Sequence, residues 1–232
     1  MSTSLHHHRT LATDEGRRIG ASLLIGFVTV HTVLWIGLAR TIPGGSFMDY
    51  REIGSAATPW IREIVLPLLA VLVFQVIVLT RLGWWHSVRR DRSRSARRLI
   101  WAPPAILLAI GLVARLSGGA LPDDAGYLVG LTLAMVMVGL TEELTFRGIG
   151  LVGARRLLDS EAKAALATAV AFGLFHLPNV LLGTSLGSAA SQMVVTAVMG
   201  AAIYALRRAS GLLWPCVVLH GVYDWLVISV NY

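Results

Sequence analysis

Apolar residues run through this chain in long blocks separated by short polar connections. Seven blocks meet the roughly 20 mostly apolar residues that a bilayer crossing needs, at about 19–39, 60–80, 99–116, 126–146, 161–182, 188–206 and 212–230. Lipid offers no partner for backbone N–H and C=O groups, so a spanning chain must be helical or close into a barrel. All seven blocks are read as helices, and the expected fold is all-α, a polytopic membrane helix bundle. The longest connections are about 20 residues, too short for a soluble domain of 50 or more.

The third block is short and contains Pro103 and Pro104, which fit a first helical turn because no backbone bond is forfeited there. Trp60, Trp84, Trp85, Trp101, Tyr127, Trp214 and Tyr232 fall near predicted ends, where amphipathic rings favour the headgroup level. Basic residues crowd into alternate connections. Sixteen of the 20 Lys and Arg lie before block one or between blocks two and three, four and five, and six and seven. That asymmetry places the amino terminus in the cytoplasm and the carboxyl terminus outside, in a multi-pass inner (plasma) membrane protein.

Composition agrees with this picture: 55% of the 232 residues are hydrophobic and 14% charged. The net charge of +7 is then mainly a topology signal. A nucleic-acid partner is not expected, because the arginine-rich stretch before block three is short and lacks aromatics interleaved among its arginines. Cys216 is the single cysteine, which rules out an internal disulfide and reads as a small buried hydrophobe. Block one, despite the small residues of Gly37-Leu38-Ala39, reads as an uncleaved anchor. His6, His7 and His8 lie too near the terminus to suggest more than weak metal contact.

Ionisable residues divide the chain. Residues 1–124 hold helices one to three with almost none at depth, His31 being the exception and expected to bond a neighbouring helix. Residues 125–230 hold helices four to seven and carry Glu142, Glu143, His176, His220 and Asp224. Carboxylates at membrane depth are costly and mark function. Glu143 and Arg147 stand four apart on one helical face in the favourable order for an ion pair, with Glu142 about 100° round the helix. Phe172 and His176 share a face beside Gly173, where a neighbouring backbone could approach, and His220 and Asp224 are again four apart.

Three helices thus offer polar stripes to one interior. No Gly-x-Ser-x-Gly or partnered cysteine supplies a nucleophile, so water is the natural one. Glu142 would deprotonate it, His176 would orient it, and His220 with Asp224 would steady the carbonyl or its oxyanion. Glu142, His176, His220 and Asp224 could equally ligate zinc, gripped across separate helices since no His-Glu-x-x-His helix is present.

Glu142-Glu143-x-x-x-Arg147, Phe172-x-x-x-His176 and His220-x-x-x-Asp224 resemble, in order and placement, the three motifs of the CAAX-prenyl-protease and bacteriocin-processing (CPBP or ABI) family. The resemblance covers roughly residues 125–230. It implies an intramembrane endopeptidase in which Glu142 and His176 activate water while His220 and Asp224 support the oxyanion. The eukaryotic branch has asparagine at the last position. An aspartate here would repel an oxyanion unless protonated or paired with His220, leaving a metal-ligand or a His220-orienting role open.

The expected substrate is a membrane-associated polypeptide, whether a CAAX protein or a secreted peptide or bacteriocin, and the cofactor is zinc or none. Two other classes stay open: a membrane immunity or scaffold protein that keeps the site without using it, and a proton-coupled transporter, for which no inverted repeat is visible. With the predicted ends, Glu142 falls near the cytoplasmic end of its helix and His176 in the outer half of its own. They can meet only if helix four runs past Arg147 and helix five begins near Ser160 as N-cap.

Overall fold

The computed structural model describes residues 2–41, 57–91 and 94–230, with residues 2–17 given by their backbone. Seven apolar helices account for most of it: α1 (Ser2–Thr41), α2 (Ala57–Leu82), α3 (Arg98–Ser117), α4 (Ala125–Leu157), α5 (Glu161–Leu182), α6 (Leu186–Ser210) and α7 (Trp214–Ile228). The first six are long and apolar enough to cross a membrane, α1 over Arg18–Thr41, whereas α7 has 15 residues. Among the described residues the sole β pairing is an isolated bridge between Arg90 and Leu212. The fold is a helical membrane bundle. Tyr232 and Arg51 lie outside the described residues.

The helix starts follow local chemistry. Asp124 caps α4 by accepting from Gly126 and Tyr127 N–H, Ser160 caps α5 through Lys163 N–H, and Ser185 caps α6 through Ser188 N–H. Pro103 and Pro104 sit in the opening turn of α3, as anticipated. Helix α4 continues past Arg147 to Leu157 and passes through a π-helical stretch, Leu144–Gly150.

Helix α4 is the central element, in contact with α1, α2, α5 and α7. Its crossing with α7 depends on two glycines: a Cβ on Gly139 would lie 2.7 Å from Val217 O, and one on Gly221 would lie 2.8 Å from Met135 O. Small residues let backbones approach where lipid supplies no hydrophobic drive. Gly173 does the same between α5 and α6, where a Cβ would fall 2.5 Å from Met193 O.

The main core joins both halves of the chain. Trp35, Trp60, Leu68 and Val71 from α1 and α2 are buried together with Leu131, Phe146, Phe172 and Phe175. Residues such as Val73, Ile77, Val113 and Val198 are instead half exposed or more, forming an apolar outer surface suited to lipid.

Three sequence expectations need correcting. Trp60 and Tyr127 do not face headgroups; they are buried, with ring centroids 6.0 Å apart edge to face. Glu63, in α2, is buried, so His31 is not the one ionisable exception in the first half. Arg207 is no loop cation either: α6 runs on to Ser210, and the buried guanidinium donates to Val88 O at 2.7 Å and Arg89 O at 3.0 Å.

Candidate active site

The depth problem posed by the sequence disappears with the observed helix ends. Glu142 lies 15 residues before the end of α4 at Leu157, and His176 lies 15 residues after the start of α5 at Glu161. At 1.5 Å per residue both sit about 22 Å from that shared end of the bundle. Helix α7 reaches the same level although shorter, because its start is recessed: Leu213 packs near Gly148, well inside the end of α4.

Glu143 forms the hub. Arg147 Nη1 donates to its Oε1 at 2.9 Å, and His220 Nδ1 lies 2.8 Å from the same oxygen, with all three side chains at most 2% exposed. The i,i+4 spacing set the first contact. The second joins α4 to α7 and has no sequence signature. The guanidinium of Arg147 also lies over the ring of Phe172, 4.4 Å from its centroid, a cation–π contact from α4 to α5.

The other nitrogen of His220 serves a second pair of acids. Nε2 lies 3.2 Å from Asp224 Oδ2 and 3.8 Å from Glu142 Oε2. Glu142 therefore does not point away from its neighbour's partners; the two glutamates flank the two nitrogens of one imidazole. Both acids can reach it because successive helical side chains diverge by only about 100°. Glu142 is 5% exposed, and its Oε2 has no hydrogen-bond partner among the described residues. Asp224 is the outermost of the group, its side chain 21% exposed.

His176 closes the cluster from α5, at the break between its α-helical part and the 3-10 turn Leu177–Leu182. Its Nδ1 lies 2.8 Å from Phe172 O. A carbonyl only accepts, so Nδ1 carries the proton and Nε2 keeps its lone pair. The Phe172 ring stands between the two histidines, with centroids 5.1 Å from His176 and 5.6 Å from His220. All seven candidates, Glu142, Glu143, Arg147, Phe172, His176, His220 and Asp224, thus gather in one interior region.

As metal ligands they do not converge. Among the described residues no group of three His, Cys, Asp or Glu could hold an ion. His220 turns both nitrogens onto carboxylates, and His176 commits Nδ1 to Phe172 O. The arrangement does not fit a resident zinc. Cys216 lies elsewhere, fully buried with Sγ 3.6 Å from Ile203 O.

A second polar group escaped the sequence reading. Gln75 Nε2, from α2, donates to Thr141 O and to Thr145 Oγ1, both at 2.8 Å, and His31 Nδ1 lies 2.9 Å from the same hydroxyl. The expected helix-to-helix bond of His31 is thereby realised. These contacts support the entrance of the π-helical stretch that carries Arg147, where the backbone register changes and a carbonyl loses its i+4 partner. Gln75 could have been noticed as a lone amide in the apolar run LAVLVFQVIVL.

Comparison with known proteins now has geometry behind it. Residues 124–226 match the family model described as type II CAAX prenyl endopeptidase Rce1-like. That segment holds every candidate residue, and the match supports CPBP family membership and a CAAX-type intramembrane protease in general. No curated protein and no solved structure matches the chain.

Proposed function

We propose that this protein is an intramembrane endopeptidase that hydrolyses a peptide bond of a membrane-associated protein or peptide by water activated between Glu142 and His176. The observation that carries the reading is the contrast between the two glutamates. Each glutamate has a buried Oε2 without a hydrogen-bond partner, but Glu143 is anchored through Oε1 by Arg147 at 2.9 Å and His220 at 2.8 Å, whereas Glu142 is approached only by His220 Nε2, 3.8 Å from its Oε2. A buried carboxylate oxygen held in reserve is what a general base needs.

In this reading Glu142 takes a proton from water as its oxygen attacks the scissile carbonyl carbon, and His176 Nε2 accepts the water's second hydrogen bond. The developing oxyanion draws on the N–H of His220 Nε2, with Glu143 fixing the ring from Nδ1. Asp224, 3.2 Å from Nε2, orients that ring as its paired acid, and the pairing offsets its charge beside the oxyanion. Collapse of the tetrahedral intermediate breaks the C–N bond, and Glu142 returns its proton to the leaving amine.

In this reading the bundle sits in the inner membrane with its arginine-rich connections and its amino terminus in the cytoplasm, a topology that the skew of Lys and Arg towards alternate connections supports. The test compares new peptide amino termini in membranes holding equal amounts of wild type or Glu142→Gln protein. Termini found with wild type alone identify a protease and a substrate. Identical sets would remove the reading; a phenotype lost without any cleavage difference would favour transport, and a phenotype retained by the variant would favour a scaffold.

A further inference from the structure

At the end of the bundle where the arginines gather, a groove of about 890 Å³ opens between α2, α4 and α7. Its walls are apolar: Leu72 and Val76 from α2, Leu140 and Leu144 from α4, Leu213 and Val217 at α7. Trp85 and Trp214 flank it, the amphipathic rings that favour the headgroup level. One end is basic, formed by His86, Arg89 and Arg90 around the short helix Trp85–Arg89.

There the chemistry changes within one step. A polar cleft of about 450 Å³ shares His86 and Arg90 with the groove and is bounded further by Arg155 and Arg156. The acids nearby are already engaged, since Arg155 pairs with Asp91 at 2.7 Å and with Glu161 at 2.6 Å. Arg89, Arg90 and Arg156 have no carboxylate partner among the described residues.

This corner is also preformed. Arg207 donates to the carbonyls of Val88 and Arg89, Leu213 N–H donates to Arg89 O at 3.1 Å, and Asp91 N–H donates to Gly211 O at 2.8 Å. The backbone bearing Arg89 and Arg90 is thus tied to the turn between α6 and α7. The backbone that carries two cations is thereby fixed at the mouth of an apolar slot, which lowers the ordering cost of binding there.

We propose that this groove and cleft form a binding site for one anionic phospholipid, its acyl chains along the apolar walls and its phosphate on Arg89 and Arg90. Apolar walls alone would take any lipid. Uncompensated arginines select net negative charge, which a zwitterionic headgroup cancels with its own amine. The site is independent of the hydrolytic reading.

The test is native mass spectrometry of the full chain in detergent, with phosphatidylglycerol or phosphatidylcholine of identical acyl chains added. Wild type is expected to retain one phosphatidylglycerol with a preference of about thirtyfold, the scale of two arginines at a membrane surface. Arg89→Gln with Arg90→Gln should abolish the preference, Arg89→Lys with Arg90→Lys should keep most of it, and Arg97→Gln with Arg98→Gln should leave it unchanged. Val76→Trp should lower retention of both lipids by filling the slot. Equal retention of the two lipids by wild type, or equal loss in the two glutamine pairs, would overturn the assignment. Circular dichroism on each variant separates loss of the site from loss of the fold.

Discussion

Two polar clusters meet on α4, and they are built on opposite terms. One is ionic: Glu142, Glu143, Arg147, His220 and Asp224, with His176 beside them. The other is neutral: Gln75, His31 and Thr145, with the carbonyl of Thr141. A wall of aromatic rings separates them, Phe175 lying 4.9 Å from His31 on one side and 5.4 Å from His176 on the other. Each cluster ties α4 to neighbouring helices. Only the ionic one combines an unpartnered carboxylate oxygen on Glu142 with a histidine nitrogen that keeps its lone pair. The difference separates a polar group that holds a backbone in place from one that is equipped to move a proton.

The sharpest way to break this contrast is to alter the reserved oxygen alone. Glu142→Gln should lower cleavage by about 10²–10⁴-fold, the range for loss of a general base. Its thermal unfolding in detergent should stay close to wild type, because Oε2 makes no hydrogen bond and its one ionic contact, to His220 Nε2, is a long 3.8 Å. A variant that stays active would place the base elsewhere.

Glu143→Gln should do the reverse in kind. It leaves Arg147 and His220 buried without their shared carboxylate, a disruption of about 3–5 kcal/mol for a broken buried pair. Loss of stability should therefore accompany loss of activity, and the double variant Glu143→Gln with Arg147→Met should recover part of the stability. Additive losses in that cycle would show that the pair is not coupled.

Gln75→Leu tests the neutral cluster. Interhelical hydrogen bonds in membranes contribute about 0.6–2 kcal/mol, so stability should fall by about 1 kcal/mol and turnover by less than for either glutamate. If Gln75 positions the π-helical stretch, Gln75→Asn, which keeps an amide N–H, should rescue turnover more than stability, whereas Gln75→Glu, with no N–H to donate to Thr141 O, should not. Asp224→Asn is expected to have the smallest effect, less than about tenfold in turnover, or 1.4 kcal/mol, because an asparagine oxygen can still accept from His220 Nε2. A larger loss would promote Asp224 from orienting residue to direct participant.

The ionic cluster was legible for a reason the neutral one was not. Carboxylates and histidines in apolar blocks are rare enough to stand out, and the pairs Glu143/Arg147 and His220/Asp224 advertise themselves by four-residue spacing. The bond from Gln75 to Thr145 crosses 70 positions, and His220 to Glu143 crosses 77. No local period encodes such a contact. Trp60 and Tyr127 failed as boundary markers for a related reason: an aromatic at a helix end can turn outward to headgroups or inward to a neighbour, and packing chooses.

By itself the sequence determined that the chain is a bundle of apolar helices, that Glu142, Glu143, His176, His220 and Asp224 lie along them, and which of these share a helical face. Those properties follow from transfer free energy and from a repeat of 3.6 residues, both local quantities. Tertiary structure alone decided that α4 extends to Leu157 and α7 starts recessed, bringing Glu142, His176 and His220 to one level. It also decided that Glu143 is hydrogen-bonded by Arg147 and His220 while Glu142 has only the 3.8 Å approach of His220 Nε2. Two adjacent residues of the same type cannot be told apart by composition or spacing; their roles separate when the surrounding helices supply short hydrogen bonds to one and only a longer contact to the other.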